Sequence, residues 1–318
     1  MKHVVTLTLS PAIDKSTSVP QLVPEQKLRC EQPKVEPGGG GINVARALKR
    51  LGLDCQAVFV AGGPPGEVLK QLVAREGIEQ HPVPTEAWTR ENFTVVDASN
   101  NQQYRFGMPG TELIASEQAQ VLATLAGLSP VPDVLVASGS LPPGVAPEFM
   151  GEIARWASSV GAKLIVDTSG EALRCAVHEG VYLLKPNLGE LAMLAGTDAL
   201  DSESAAAAAR SIVEAGKCEI VVVSLGAAGA CFVTREVEEH IAAPAVKKRS
   251  TVGAGDSMVA GMVYALCQGR PVREAVRMGV ACGSAATMNS GTELFHARDA
   301  ERLYQWLLQT MPLLAPVH

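Results

Sequence analysis

Short apolar runs rich in β-branched residues alternate with longer helical patterns along most of this chain. The runs that predict buried strands are residues 4–9, 57–60, 134–137, 164–166, 182–184 and 220–223. Helical periodicity or high alanine content marks residues 42–51, 66–76, 116–128, 147–160, 202–215 and 272–288. Continuous apolar strands suit a parallel sheet that helices cover on both faces. The repeated order of strand and helix therefore predicts an α/β fold with a doubly wound, mostly parallel sheet.

Two segments interrupt this alternation, at about residues 14–36 and 88–108. The second contains two strand-like runs, residues 91–99 and 103–106, with the turn signal Asn100-Asn101 between them. We therefore expect a small antiparallel sheet inserted into the α/β core. The two segments carry the basic residues Lys27, Arg29, Arg90 and Arg105. Because of this charge, the small sheet is expected to act as a lid or an interface rather than as surface decoration.

The composition is that of a globular chain: 318 residues, 47% of them apolar and 19% charged, with a net charge of −6. Such a length permits one large α/β domain or two small ones. The acidic balance provides no general attraction for nucleic acid or an anionic membrane, so neither is an expected partner. The seven cysteines are scattered without a C-x-x-C pair, which indicates reduced thiols in a cytoplasmic protein. Neither a signal peptide nor a membrane span is expected from the apolar pattern.

A glycine-spaced turn, residues 250–256, leads into the apolar helical run 257–266. Gly253 and Gly255 can adopt positive φ and let a ligand approach the main chain closely. The first N–H groups of a helix have no intrahelical partner and bind phosphate well. Asp256 falls at the mouth of this helix, either as an N-cap or first-turn acid or as a general base beside a bound phosphoryl group. Capping alone does not call for two glycines, so the pattern favours the general base.

A second glycine cluster, residues 37–41, also leads into a helix and has Asn43 in the first turn. The glycines permit close approach of a ligand, and the amide of Asn43 offers both a donor and an acceptor; a flexible loop is the alternative. The cluster matches neither the Walker pattern nor G-x-G-x-x-G. A P-loop and a standard dinucleotide fingerprint are therefore both disfavoured.

Residues 185–190 follow a predicted strand and begin a helix, which places them at the carboxyl edge of the sheet, where ligands of such folds gather. Asn187 and Glu190 suit a magnesium ion held through water. The same spacing fits a helix capping box equally well, and the local sequence leaves both open. Residues 138–144 and 223–226 also end strands and are expected to line the same crevice. The six histidines show no pairing with a nucleophile, so a hydrolase triad is not supported.

Taken in chain order, these motifs resemble the ribokinase, or PfkB-type, family of sugar kinases. Residues 38–52 are similar to its amino-terminal signature and residues 251–256 to its carboxyl-terminal one. The resemblance implies a single ribokinase-like kinase domain over residues 1–318, in which the two interrupting segments form a small β-sheet lid.

Within the family, residues 6–14, 88–92, 103–106 and 138–143 resemble the branch that phosphorylates sugar phosphates. Members acting on fructose 1-phosphate or tagatose 6-phosphate typically have Gly-Gly-Lys-Gly in the first signature, and here Gly40 stands in the place of the lysine. The resemblance therefore implies ATP-dependent phosphorylation of fructose 6-phosphate at its 1-hydroxyl, a step of glycolysis. A tagatose 6-phosphate or fructose 1-phosphate kinase is the alternative, and a non-catalytic sugar-phosphate sensor is a third, from a different class.

The same resemblance implies roles for individual residues. Asp256 takes the proton from the 1-hydroxyl, while the N–H groups of Gly253, Ala254 and Gly255 stabilise the transferring phosphoryl group. The expected sugar-phosphate ligands are Asp14, Lys27 from a partner subunit, Gly39, Gly40, Asn43, Arg90, Arg105, Ser138 and Gly139. The expected ATP contacts are Lys185, Asn187, Ser224, Gly226, Thr251, Gly253 and Gly255.

Two metal ions and an assembly are also implied by the resemblance. Asn187 and Glu190 are expected to hold Mg²⁺ through water. A potassium ion is expected beside the anion hole, held largely by main-chain oxygens of Ser250, Val252, Ala286, Asn289 and Gly291. The lid is expected to pair two copies of the chain as a homodimer.

Overall fold

The structure is a computed structural model that describes residues 2–289 and 291–310. Residues 1, 290 and 311–318 of the expected domain lie outside the described residues. The strands are β1 (Val4–Thr8), β2 (Ala12–Val19), β3 (Lys34–Gly38), β4 (Gln56–Gly62), β5 (Glu79–Thr85), β6 (Arg90–Asp97), β7 (Gln102–Phe106), β8 (Val134–Ser138), β9 (Lys163–Asp167), β10 (Val181–Leu184), β11 (Cys218–Ser224), β12 (Ala230–Val233) and β13 (Glu238–Ile241). The helices are α1 (Gly40–Arg50), α2 (Gly63–Arg75), α3 (Ala115–Ala126), α4 (Glu148–Ser159), α5 (Gly170–Glu179), α6 (Leu188–Ala195), α7 (Ser202–Glu214), α8 (Ala254–Cys267), α9 (Val272–Thr287) and α10 (Ala297–Thr310).

The main sheet has nine strands within the described residues, in the order β13-β12-β11-β10-β9-β8-β1-β4-β5. Its strands pair in parallel from β11 to β5, whereas β12 and β13 add an antiparallel edge. Each of the six predicted buried strands is present, and the predicted doubly wound, mostly parallel sheet is confirmed.

Helices cover both faces of this sheet, because alternate residues of each strand point to opposite sides. In β4, Ala57 and Phe59 belong to one apolar core, while Val58 and Val60 belong to the other. Helices α1, α2, α8, α9 and α10 pack on the first face, and α3 to α7 pack on the second. All six helical segments predicted between or beyond the strands are confirmed. No helix in the described part of the chain is long and apolar enough to cross a membrane.

A second, four-stranded sheet has the order β3-β2-β6-β7. Strands β6 and β7 form the predicted hairpin, and Asn101 takes a φ of 58° in its turn. The outer pairs are antiparallel as expected, but the central pair, β2 and β6, is parallel. The reason lies in the main sheet: β2 continues from β1 and β6 from β5, and both leave the same carboxyl edge in the same direction.

Candidate active site

The predicted phosphate-binding turn forms the start of α8. Gly253 is the N-cap with a φ of 70°, and a Cβ there would come within 2.7 Å of a side-chain carbon of Leu294. Among the described residues no side chain caps this helix end. Asp256 lies in the first turn rather than at the N-cap, so its carboxylate is free for another role. The main-chain N–H groups at Gly253 to Gly255 and this carboxylate therefore sit beside one another.

Asp256 is held by Asn43, whose Nδ2 donates to Asp256 Oδ2 at 2.9 Å, across 213 residues of sequence. Burial and the neighbouring carboxylate of Asp167 raise the pKa of Asp256 to about 6, whereas the Asn43 hydrogen bond and Lys185 lower it. A carboxylate with that pKa is ionised at neutral pH and still basic enough to accept a proton from a hydroxyl. The structure thus brings together the two glycine motifs that the sequence separates.

The first glycine cluster packs against the loop that ends β8. Gly39 has a φ of 108°, and a Cβ there would lie 2.7 Å from Thr8 Cγ2. A Cβ on Gly40 would lie 2.4 Å from Ser138 Oγ and 2.7 Å from the backbone nitrogen of Gly139. Backbone this close excludes larger residues at position 40 unless one of the two loops moves.

Ser138 and Gly139 line the crevice at the carboxyl edge of the sheet. Ser138 is buried, and its hydroxyl has no hydrogen-bond partner among the described residues. Gly139 has a φ of 109°, and its N–H donates to the Asp167 carbonyl at 2.9 Å. A buried polar atom without a partner is uncommon, and in a crevice it is suited to a ligand hydroxyl or phosphate oxygen.

Lys185 forms a buried ion pair with Asp167, a residue that the sequence motifs did not single out. The side chain of Lys185 is 7% exposed, and its Nζ lies 3.1 Å from Asp167 Oδ1. Burial lowers the pKa of Lys185, but the carboxylates of Asp167, Glu190 and Asp256 together outweigh burial, so the pKa is raised and the lysine is charged. A Cβ built on Gly255 would lie 3.6 Å from the Nζ atom, so this charge stands directly beside the phosphate-binding turn.

Asn187 and Glu190 form the capping box that the spacing permits. Asn187 Oδ1 accepts from the Glu190 N–H and Glu190 Oε2 accepts from the Asn187 N–H, both at 2.9 Å. Ser224 pairs with this turn: its N–H donates to the Pro186 carbonyl at 2.8 Å. Gly226, with a φ of 60°, begins a short 3₁₀ turn that ends at Ala228. Three of the predicted nucleotide contacts, Asn187, Ser224 and Gly226, therefore occupy adjacent turns at one sheet edge.

The second sheet carries the predicted sugar-phosphate ligands. Asp14 accepts from Asn92 Nδ2 at 3.0 Å, and burial raises its pKa. Arg90 donates to the carbonyls of Ser10 and Met108, both at 3.0 Å, and to that of Pro11 at 3.4 Å, so each of its three guanidinium nitrogens contacts the main chain.

The two other predicted basic ligands lie on β7 and on a connecting loop. Arg105 Nη2 donates to Thr251 Oγ1 at 3.3 Å, which joins β7 to the turn before α8. Lys27 is exposed on the loop between β2 and β3. The structure thus assembles Asp14, Arg90 and Arg105 near the phosphate-binding turn.

The residues predicted to hold a monovalent cation lie at the end of α9 and in the turn before α8. Ser250 Oγ donates to the Gly291 carbonyl at 2.8 Å and accepts from the Val252 N–H at 3.2 Å. The Asn289 N–H donates to the Ala286 carbonyl at 3.2 Å. The two segments are therefore joined directly behind the phosphate-binding turn.

The fold and this arrangement define a carbohydrate kinase. The chain matches the pfkB family carbohydrate kinase description over residues 2–297. The chain therefore belongs to the pfkB family of carbohydrate kinases, which confirms the resemblance seen in its motifs.

Individual relatives of this chain carry names that specify a reaction within the family. The chain is 45% identical over 312 residues to the ATP-dependent 6-phosphofructokinase isozyme 2 of Escherichia coli strain K12, covering 96% of this chain and 99% of that protein. The crystal structure of phosphofructokinase-2 from Escherichia coli in complex with fructose 6-phosphate matches with a TM-score of 0.91 at 43% identity, over 96% of this chain and 99% of the other. A potassium complex of that phosphofructokinase matches with a TM-score of 0.92 at 44% identity, with the same coverage.

Proposed function

We propose that this chain transfers the γ-phosphoryl group of ATP to the 1-hydroxyl of fructose 6-phosphate, giving fructose 1,6-bisphosphate and ADP. The observation that carries the proposal is the placement of Asp256. Its carboxylate, with a pKa of about 6, lies in the first turn of α8 beside the N–H groups of the glycine turn, and Asn43 orients it. A base and an anion hole side by side suffice for direct phosphoryl transfer. The similarity to a 6-phosphofructokinase supports the choice of reaction.

The transfer follows from this geometry. Asp256 accepts the proton of the 1-hydroxyl as that oxygen forms a bond to the γ-phosphorus, and the bond from phosphorus to the leaving oxygen of ADP breaks. The N–H groups of Gly253, Ala254 and Gly255 stabilise the negative charge on the phosphoryl oxygens. Lys185 adds a positive charge beside the same turn. The reaction needs no covalent enzyme intermediate.

The sugar phosphate is proposed to lie between the second sheet and the glycine cluster of α1. Asp14, the main chain at Gly39 and Gly40, Asn43, Ser138 and Gly139 surround its hydroxyls. Arg105 supplies guanidinium N–H groups for the 6-phosphate from beside Thr251. Arg90 supplies the N–H groups that its three carbonyl contacts leave unpaired. Lys27 is proposed to reach the 6-phosphate from a second subunit.

The absence of a lysine at position 40 supports fructose 6-phosphate as the acceptor. The tight contact of Gly40 with the backbone of Gly139 leaves no room for a side chain in the observed loop arrangement. A kinase that recognises its sugar through a lysine there would need another arrangement of these loops.

ATP is proposed to lie along the edge formed by Lys185, Asn187, Ser224, Gly226 and Thr251. Magnesium would supply positive charge to its phosphates. No group of three or more His, Cys, Asp or Glu side chains in the described residues could hold a metal ion. The second oxygen of Glu190, outside the capping box, fits contact through water with a magnesium ion that arrives with the nucleotide.

The proposed potassium site lies where the end of α9 and the residues after it join the turn before α8. Ser250, Val252, Ala286, Asn289 and Gly291 offer neutral carbonyl and hydroxyl oxygens, which are the usual ligands of a monovalent cation. The Gly291 carbonyl already accepts one hydrogen bond, and its second lone pair is free to face an ion. The potassium complex of the similar bacterial enzyme supports this assignment.

We propose a homodimer formed through the outer face of the second sheet. Val35, Lys15, Phe93 and Phe106 are cross-strand neighbours in one row, so their side chains share a face. The three apolar members are 36%, 39% and 48% exposed, which is a large apolar surface for a four-stranded sheet. Phe106→Asp should halve the mass measured by light scattering. Trp306→Asp, at a position of α10 that is 43% exposed, should leave the mass unchanged.

The cellular location proposed for the chain is the cytoplasm. All seven cysteines are free thiols, four of them buried or nearly so in the core. A reduced state of this kind is typical of cytoplasmic proteins.

The experiment that tests the reaction is ADP release with magnesium-ATP and potassium, comparing fructose 6-phosphate, tagatose 6-phosphate, fructose 1-phosphate and fructose at matched concentrations. We expect the highest kcat/KM with fructose 6-phosphate. A preference for another sugar would keep the mechanism and refute the acceptor. Binding of sugar phosphate without ADP release would refute the kinase reaction and favour a sensor.

A further inference from the structure

We propose that Arg46 is a positioning residue for the general base: it fixes the Asn43 amide so that its NH₂ group faces Asp256, and Glu36 in turn fixes Arg46. The inference deepens the proposed function and rests on it, because it takes Asp256 as the base.

The contacts of Arg46 determine which end of the Asn43 amide faces the base. Arg46 lies one turn after Asn43 on α1, and its side chain is 1% exposed. Its Nη1 donates to Asn43 Oδ1 at 3.3 Å and to the Pro37 carbonyl at 3.0 Å. A guanidinium can only donate, so the amide oxygen must face Arg46. The amide NH₂ is then directed to Asp256, where Nδ2 donates at 2.9 Å.

This orientation matters for proton transfer because the two ends of an amide act in opposite ways on a carboxylate. An N–H donor stabilises the ionised base, whereas a carbonyl oxygen at the same place would repel it. The groups facing Asp256 come from four elements: Asp14 of β2 and Asp167 of β9 raise its pKa, while Lys185, after β10, and Asn43 of α1 lower it. Asn43 is thus one of two groups that keep the base ionised near neutral pH.

Glu36 of β3 holds the guanidinium in place from the second sheet. Glu36 Oε1 accepts from Arg46 Nη2 at 2.8 Å, and Glu36 Oε2 accepts from Thr292 Oγ1 at 2.8 Å. Glu76 Oε1 accepts from Arg46 Nε at 2.9 Å. The guanidinium is therefore fixed on three sides. A buried ion pair is a weak source of stability compared with apolar side chains of the same volume, so its fixed geometry is its useful property here.

Arg46→Lys is the variant that tests this role. A lysine keeps the positive charge next to Glu36 and Glu76 but cannot make the forked set of hydrogen bonds that reaches the Asn43 oxygen. We expect kcat to fall by about tenfold to a hundredfold, as for other misplaced catalytic groups. The acid limb of the kcat/KM profile should move up by about one pH unit, since a hydrogen bond to a charged group is lost. KM for ATP should stay the same.

Three further single variants and one double variant make the outcome specific. Arg50→Lys is the same change one turn further along α1. Because Arg50 donates to the Phe295 carbonyl and not to Asn43, this variant should leave the pH profile unchanged. Asn43→Ala should move the acid limb in the same direction, and adding Arg46→Lys to it should cause no further shift, because Arg46 acts through Asn43. Thr292→Val removes the hydroxyl that donates to Glu36, so it should move the acid limb in the same direction by a smaller amount. This variant keeps the proposal testable if Arg46→Lys does not fold.

The proposal would be overturned if the wild-type enzyme is active and the acid limb of its kcat/KM profile lies at the same pH in Arg46→Lys and in Thr292→Val. Additive shifts in the Asn43→Ala background would also overturn it, since they would mean that Arg46 acts by another route. A wild-type protein without turnover on any of the sugars would instead overturn the proposed function, so the two failures can be told apart.

Discussion

Replacing Asp256 by Asn should make this protein more stable while abolishing most of its activity. In the folded protein, burial and Asp167 raise the pKa of Asp256 from 3.8 to about 6. The difference is roughly two pKa units, and each unit corresponds to about 1.4 kcal/mol, so ionisation of this residue costs the folded state up to about 3 kcal/mol. Asn carries no charge and can still accept the hydrogen bond from Asn43.

The direction of this pKa change determines the pH range over which the stability difference develops. A pKa raised by folding means that the folded state binds the proton more tightly than the unfolded chain. The resulting stability is fully present below the unfolded pKa of 3.8 and is lost as pH rises through about 6. The advantage of Asp256→Asn over the wild type should therefore be near zero at pH 4, grow between pH 4 and 6, and stay constant above.

The measurement is urea unfolding of both proteins at several pH values, together with turnover at pH 8. We expect turnover to fall at least about a hundredfold, the usual scale for loss of a general base. Asp201→Asn is a matched control, because Asp201 also lies at a helix start but hydrogen bonds from Ser204 lower its pKa. That variant should gain no stability as pH rises. An Asp256→Asn protein that is less stable than the wild type at pH 8, or whose stability difference does not change with pH, would refute the electrostatic account.

Two other substitutions test how the site binds the sugar phosphate and how its glycine loops pack together. Arg105→Ala should raise KM for the sugar phosphate much more than KM for ATP, because the guanidinium is proposed to meet the 6-phosphate; equal effects in steady-state kinetics would argue against that role. Gly40→Ala should cost about 1–3 kcal/mol in urea unfolding and lower turnover, since its Cβ would meet the Gly139 backbone. Gly107→Ala, where a Cβ meets nothing within 4 Å, is its control, and equal losses from the two would contradict the packing argument.

The strands and helices of the main layer could be predicted because local sequence determines them. Strands such as β1 and β4 are buried along their whole length, so apolar runs mark them directly. Strand β5 could not be predicted in this way, since its sequence contains two prolines and it lies at the sheet edge, where prolines are tolerated. The parallel pairing of β2 with β6 depends on the direction of strands far apart in the chain, which no local pattern contains.

The residues of the candidate site also divide into those that local sequence predicts and those that only the fold brings together. The glycine turn, Asn43 and the capping box of Asn187 and Glu190 are contiguous motifs, and the structure places them together. Asp167 is a single acid at the end of a buried strand, so its ion pair with Lys185 becomes visible only when neighbouring strands align. The family resemblance implies that Arg90 binds phosphate, but the carbonyls that contact its guanidinium belong to loops whose positions the local sequence does not determine.

The charge balance of the crevice leads to a last prediction, that ATP should bind poorly without a divalent cation. Asp167 and Asp256 stand beside the proposed phosphate site, and Lys185, which lies there too, is already paired with Asp167. Glu190 adds a further carboxyl at the same edge, and burial and Asp167 raise its pKa.

Bare ATP would bring its own negative charges against these carboxylates, and at a few ångströms such repulsion reaches kilocalories per mole even with strong screening. Calorimetric titration with ATP in EDTA should therefore give a Kd at least about tenfold weaker than with magnesium. Glu190→Gln should reduce that difference in Kd by removing one negative group. Glu203→Gln, at an exposed position in the first turn of α7, should not change the difference. Equal affinities with and without magnesium would mean that Lys185 and the N–H groups of the turn alone neutralise the phosphates.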